Sequence, residues 1–163
     1  MKNCTASLDL SFQVTAIAPQ FANRIRSGLP DDFGRAALRV VAAGGEPIRD
    51  QLRRAAPGEQ LFLCSYQAVA LPALFAEIGP VFISVESARP APVWRDELPP
   101  GYFPRTFAVR AYDRTDSIID STLVEPHLAP ASIRLLLARP AVSYLHARFA
   151  GNGCYACRFD RIT

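Results

Sequence analysis

Residues 8–17 set the dominant pattern of the chain. Leu8, Leu10, Phe12 and Val14 alternate with Asp9, Ser11, Gln13 and Thr15. A period of two puts the apolar set on one face and predicts a half-buried strand. Strands are also predicted over 35–43, 60–66 and 80–88, the last marked as buried by its β-branched and aromatic content. Residues 106–113 and 117–125 flank a short polar turn and predict a hairpin. The clearest helix is 130–139, where Ile133, Leu136 and Leu137 share a face, Ser132 is placed to cap and Pro140 stops the run. Residues 47–55 begin on Pro47, a residue suited to a first helical turn, and also predict a helix. Residues 23–29 read as a short helix stopped by Gly28 and Pro30, and 71–79 carry no decisive period. A final hairpin runs through "VSYLHARFA", the turn Gly151-Asn152-Gly153 and "CYACRFDR". The glycines and asparagine supply the positive φ that tight turns need.

Together these elements predict an α+β fold, mainly antiparallel sheet of about eight strands with two or three short helices, in a single domain over residues 1–163. Residues 89–104 break the pattern. They hold five of the fourteen prolines with Trp94, Tyr102 and Phe103. Proline removes ladder donors, so this segment is no central strand. Two readings stay open: a functional lid, or a strap over an exposed sheet edge.

Composition narrows the classes. Half of the 163 residues are apolar and a fifth are charged, which describes a globule able to bury a core without staples. The net charge is +3, carried almost wholly by arginine because Lys2 is the only lysine. Basic and acidic residues are intermixed, with no basic run or arginine–aromatic ladder, so nucleic-acid binding is not indicated. No stretch reaches the roughly 18 apolar residues of a membrane span. The first residues lack the continuous apolar core of a secretory signal, and four cysteines in such a chain read as reduced thiols in a cytoplasm.

The chemistry concentrates near the C-terminus. Cys154 and Cys157 form a lone C-x-x-C on a predicted strand, where positions three apart point to opposite faces. Zinc would need His127 with Cys4 or Cys64 to complete a tetrahedron, so no metal and no cofactor is expected. His146, one of two histidines, is either a buried, hydrogen-bonded residue or a general base and thiolate partner. The turn decides. A two-residue loop turns Cys154 away from His146, toward the side of Leu145 and Ala147. A three-residue loop or a bulge sets Cys154 beside His146. Arg110 and Tyr112 share a face of their strand. An arginine there is either paired with Asp113, Asp120 or Asp160, or serves as an anion clamp.

"GRAALRVVAAGGEPIRDQLRRAAPGEQLFLCSY", "GPVFISVE", "VRAYD" and "YLHARFAGNGCYACRFDR" together resemble the bacterial domain-of-unknown-function family 1203, in order from about Phe12 to Arg161. The most specific part is H-x-x-x-A-x-x-G-C-Y/F ending in D-R, here His146, Ala150, Gly153, Cys154, Asp160 and Arg161. The resemblance implies a soluble bacterial domain and no mechanism. It keeps Cys154 and not Cys157. Where relatives carry H-x-H this chain has Arg148, and where they carry P-C-R it has Pro47-Ile48-Arg49. The expectation is a pocket for a small anionic metabolite, with Arg110 and Tyr112 binding it and His146 and Cys154 as the catalytic pair. The alternative is a noncatalytic interaction or homodimerisation module that uses Trp94 and Tyr102 of the strap.

Overall fold

The structure is a computed structural model that describes residues 9–86 and 90–162. Cys4, Leu8, Ser87, Ala88 and Arg89, which entered the sequence reading, lie outside them. The described residues form eleven strands and two helices in sheets of six and five strands. The chain is α+β and mostly sheet, with more strands than the eight expected.

The larger sheet, sheet A, has β1 (Phe12–Thr15), β7 (Val93–Arg95), β8 (Phe107–Tyr112), β9 (Ile118–Val124), β10 (Tyr144–Phe149) and β11 (Tyr155–Arg161). Their order is β7-β1-β11-β10-β8-β9, antiparallel throughout. Phe12 and Val14 point into the core as their alternation requires. They meet Val109, Ala111, Leu145, Ala147 and Phe159 from the same sheet. Helix α2 (Ala129–Leu137) closes this core with Ala129, Ile133 and Leu137. Ser132 does not cap it. The helix begins earlier, behind Leu128, with Pro130 in its first turn.

The smaller sheet, sheet B, has β2 (Leu38–Val41), β3 (Pro47–Ile48), β4 (Arg53–Arg54), β5 (Gln60–Val69) and β6 (Glu77–Ser84) in the order β2-β5-β6-β3-β4. Helix α1 (Pro19–Arg26) packs Phe21, Ala22 and Ile25 on Phe62, Cys64, Val81 and Ile83 of this sheet. The opposite face carries Leu63 and Phe82, paired across β5 and β6.

Residues 47–55 are not the predicted helix but β3, a turn and β4. Long-range bonds displace the local preference. Arg49 N–H donates to Phe82 O at 2.9 Å, and Arg49 O accepts from Ile17 N–H at 3.2 Å. Asp50 takes Ser84 N–H at 2.9 Å and pairs with Arg26. A helix over these residues would forfeit all four contacts.

The proline-rich segment is a strap. Its β7 pairs Trp94 with Val14 and forms the outer edge of sheet A. Tyr102 and Phe103 turn inward and are buried in the core.

Candidate functional site

The final hairpin holds both predicted registers, one on each side of a β-bulge. His146 faces Arg158 and Ala147 faces Cys157, but Arg148 faces Tyr155, which leaves Ala156 as the extra residue. A bulge takes carbonyls out of the ladder, and they need other donors. Arg49 Nε donates to Tyr155 O at 2.9 Å, and the Tyr102 hydroxyl donates to Ala156 O at 3.0 Å. The turn is longer than either predicted loop. Phe149 N–H donates to Cys154 O at 3.0 Å, and Gly153 N–H donates to Phe149 O at 2.7 Å. Cys154 therefore pairs with Phe149, on the opposite strand face from His146.

The four predicted site residues fall into two places. Arg110 lies directly across β8 from His146, and Tyr112 lies across from Tyr144. The His146 ring sits 4.9 Å from Tyr112, 5.0 Å from Tyr144 and 5.0 Å from Tyr155. It is 1 % exposed. Burial, and then the charges of Arg148, Arg158 and Arg110, push its pKa down to about 3. The imidazole is neutral at neutral pH and a poor proton acceptor there. His146 Nδ1 and the Tyr112 hydroxyl are buried without a protein partner among the described residues. Arg110 is held by an acid absent from the sequence reading. Its Nη1 donates to Glu77 Oε2 at 3.0 Å, while Arg148 Nη1 donates to Glu77 Oε1 at 2.8 Å. Glu77 thus ties sheet B to sheet A through two arginines.

Cys154 lies elsewhere. It lines a cavity of about 890 Å³ where the hairpin tip covers sheet B. Leu63, Pro80 and Phe82 from β5 and β6 form an apolar wall, and Phe149 faces them from the hairpin. Arg49, Arg54 and Arg105 bring the charge. His146, Arg110 and Tyr112 do not line it. The bulge and the four-residue turn set the Cys154 thiol and the His146 imidazole on different strand faces, and Cys154 meets the Glu77–Arg148 pair at a smaller cavity of about 160 Å³ that all three border.

Arg49 is the key group. It is 3 % exposed, on the turn after β3. Nε donates to Tyr155 O and Nη1 to Pro47 O at 2.7 Å. Nη2 has no acceptor among the described residues, and no carboxylate pairs with the group. Arg54 donates through Nε and Nη2 to Tyr102 O, at 2.9 and 2.8 Å, and through Nη1 to Gly45 O at 2.8 Å. Both guanidinium carbons sit near the Phe149 ring, Arg49 at 5.2 Å and Arg54 at 4.7 Å from its centroid. Burial weakens the hold of each on its proton, and Arg54 adds to this at Arg49. The cavity therefore presents two partly desolvated cations whose local compensation among the described residues is carbonyl oxygens and the rings of Phe149 and Tyr102. Such a site favours an anion, above all one that accepts bidentate bonds.

The C-x-x-C gathers no ligand set. Cys157 lies in the core opposite Ala147, with burial raising its pKa well above the ordinary thiol value. Cys64 is buried between α1 and sheet B, pushed up to about 12 by burial first and nearby aspartates second. Among the described residues no three His, Cys, Asp or Glu side chains gather as a metal site. No helix of the described residues is long and apolar enough to cross a membrane.

Fold and site define a two-sheet α+β protein with an arginine-lined cavity under a hairpin tip. The chain belongs to the family described as "Protein of unknown function (DUF1203)", whose profile matches residues 45–161. That span includes every residue lining the cavity and begins after β2, later than the Phe12 start the resemblance suggested. No curated protein and no solved structure matches the chain.

Proposed function

We propose that the protein binds a small organic anion, with an apolar body and a carboxylate or phosphate head, in the cavity lined by Arg49, Arg54 and Cys154. One observation carries this reading: Arg49 is buried with no carboxylate partner among the described residues, and it lines a cavity walled by apolar side chains. A buried unpaired charge is costly, and an anionic ligand offsets that cost. The volume falls in the range of small-molecule sites. The anion clamp expected of Arg110 thus moves to Arg49 and Arg54, since Arg110 already has Glu77. Of the two residues the interaction-module reading rests on, Tyr102 is buried in the core, and Trp94 is partly buried against it.

Phenyl phosphate, titrated against labelled protein by NMR, tests the proposal. Saturable shifts are expected at Phe149 and over 151–154, with benzyl alcohol producing far smaller ones. Arg49→Met should weaken binding about tenfold or more, as loss of a charge-assisted hydrogen bond implies. Equal binding of the phosphate and the alcohol would remove the reading.

A further inference from the structure

We infer that Cys154 is a thiolation site for anionic low-molecular-weight disulfides, which the guanidinium groups of Arg49 and Arg54 draw into the cavity; this rests on the anion-binding reading above. Cys154 is free and half-buried in the cavity wall. Among the described residues its sulfur has one weak hydrogen bond, to Asn152 O at 3.8 Å. The independent observation is Arg49, 3 % exposed and lining the same cavity, with Nη2 unpaired among the described residues. Cys154 also lies near enough for a thiolate there to strengthen the Arg49 charge. A thiol beside two cations that have no carboxylate partner among the described residues selects for disulfides that carry carboxylates.

The step is an exchange. Deprotonated Cys154 Sγ attacks one sulfur of the bound disulfide, the S–S bond breaks, and a bond from Sγ to the retained half forms. The other half leaves as a thiolate, and the proton of Cys154 passes to solvent. Cys154 is oxidised and the departing half is reduced, so no further oxidant is needed. Cys157 is fully buried in the core and cannot attack the adduct from its place opposite Ala147. The mixed disulfide therefore persists until an external thiol removes it.

Glutathione disulfide and cystamine, one anionic and one cationic, serve as probes, with adducts mapped to the peptide that holds Cys154. The rate ratio of the two is measured on the native chain and again in urea, which cancels their intrinsic reactivities. The native ratio should favour glutathione disulfide about tenfold over the ratio in urea. Molar salt should erase the preference, as should Arg49→Met with Arg54→Met. The salt arm needs no variant to fold. A native ratio equal to that in urea, a preference that survives both salt and the double substitution, or no adduct at Cys154, would overturn the inference. Phenyl phosphate binding to Cys154→Ser separates the two claims. If it binds while disulfide selectivity is absent, the thiol proposal alone falls; if neither is seen, both fall.

Discussion

Two arginines, Arg148 and Arg49, are buried to nearly the same degree, at 2 % and 3 % exposure, yet their surroundings differ. Arg148 sits between the sheets, beside a small cavity that Cys154 also borders, and shares the Glu77 carboxylate with Arg110. Arg49 sits at a cavity, and among the described residues it bonds only carbonyl oxygens, beside the Phe149 ring and a second cation, Arg54. The first has a carboxylate for its charge, although Arg148 Nε and Nη2 are buried without a partner among the described residues, and it ties the two sheets together. The second lacks a carboxylate among the described residues, and the proposed anion would supply one. A histidine marks the first region and none marks the second, so the residue type that draws attention in a sequence is here a guide to structure.

Removing Glu77 should break the comparison most severely. Glu77→Ala leaves Arg148 buried without its acid and releases Arg110, and the loss should be about 2 kcal/mol, less than for a fully buried pair because Glu77 is partly exposed. Urea denaturation checks this. Replacing His146 should change stability less than Glu77→Ala at neutral pH but show a pH signature. Its pKa is about 3 in the fold against 6.5 ordinarily, so the unfolded chain gains a proton first as pH falls. The contribution of neutral His146 is full above pH 6.5 and is lost progressively toward pH 3, on the order of 1 kcal/mol per pH unit. His146→Phe should remove that slope, seen as a difference from wild type across pH 6.5 to 4.

Arg49→Met should cost less stability than Glu77→Ala, about 1 kcal/mol, because two hydrogen bonds are lost while an unpaired buried charge is relieved. Cys154→Ser should be nearly silent, within about 0.5 kcal/mol. A thiol reagent sharpens that last point. Cys154 should react in the native chain, whereas Cys64 and Cys157, held protonated by burial, should react only on unfolding.

Much of sheet A was legible in the sequence. Period-two alternation placed Phe12 and Val14 correctly, the β8–β9 hairpin followed from its turn, and proline content excluded a central strand over 89–104 while leaving lid and strap open, which the pairing of β7 resolves as an edge strap. The two- and three-residue strands β3, β4 and β7 were too short to carry a period, which accounts for the undercount. Residues 47–55 were misread because Pro47 is a good helix opener locally, while Phe82, more than thirty positions away, supplies the pairing that decides. That error hid Arg49 and Arg54, which a helix would have sent toward solvent. The bulge at Ala156 was likewise invisible. It depends on Arg49 and Tyr102 reaching the freed carbonyls, contacts spanning 106 and 54 positions. The one available signal was the prevalence of arginine in an otherwise apolar chain.

The most direct test sets the two regions against each other. Phenyl phosphate affinity is measured for wild type, Arg49→Met and His146→Phe under one buffer. Wild type and His146→Phe should bind alike, and Arg49→Met should bind about tenfold more weakly or not at all. Loss of binding in His146→Phe with full retention in Arg49→Met would place the anion between the sheets and contradict the account.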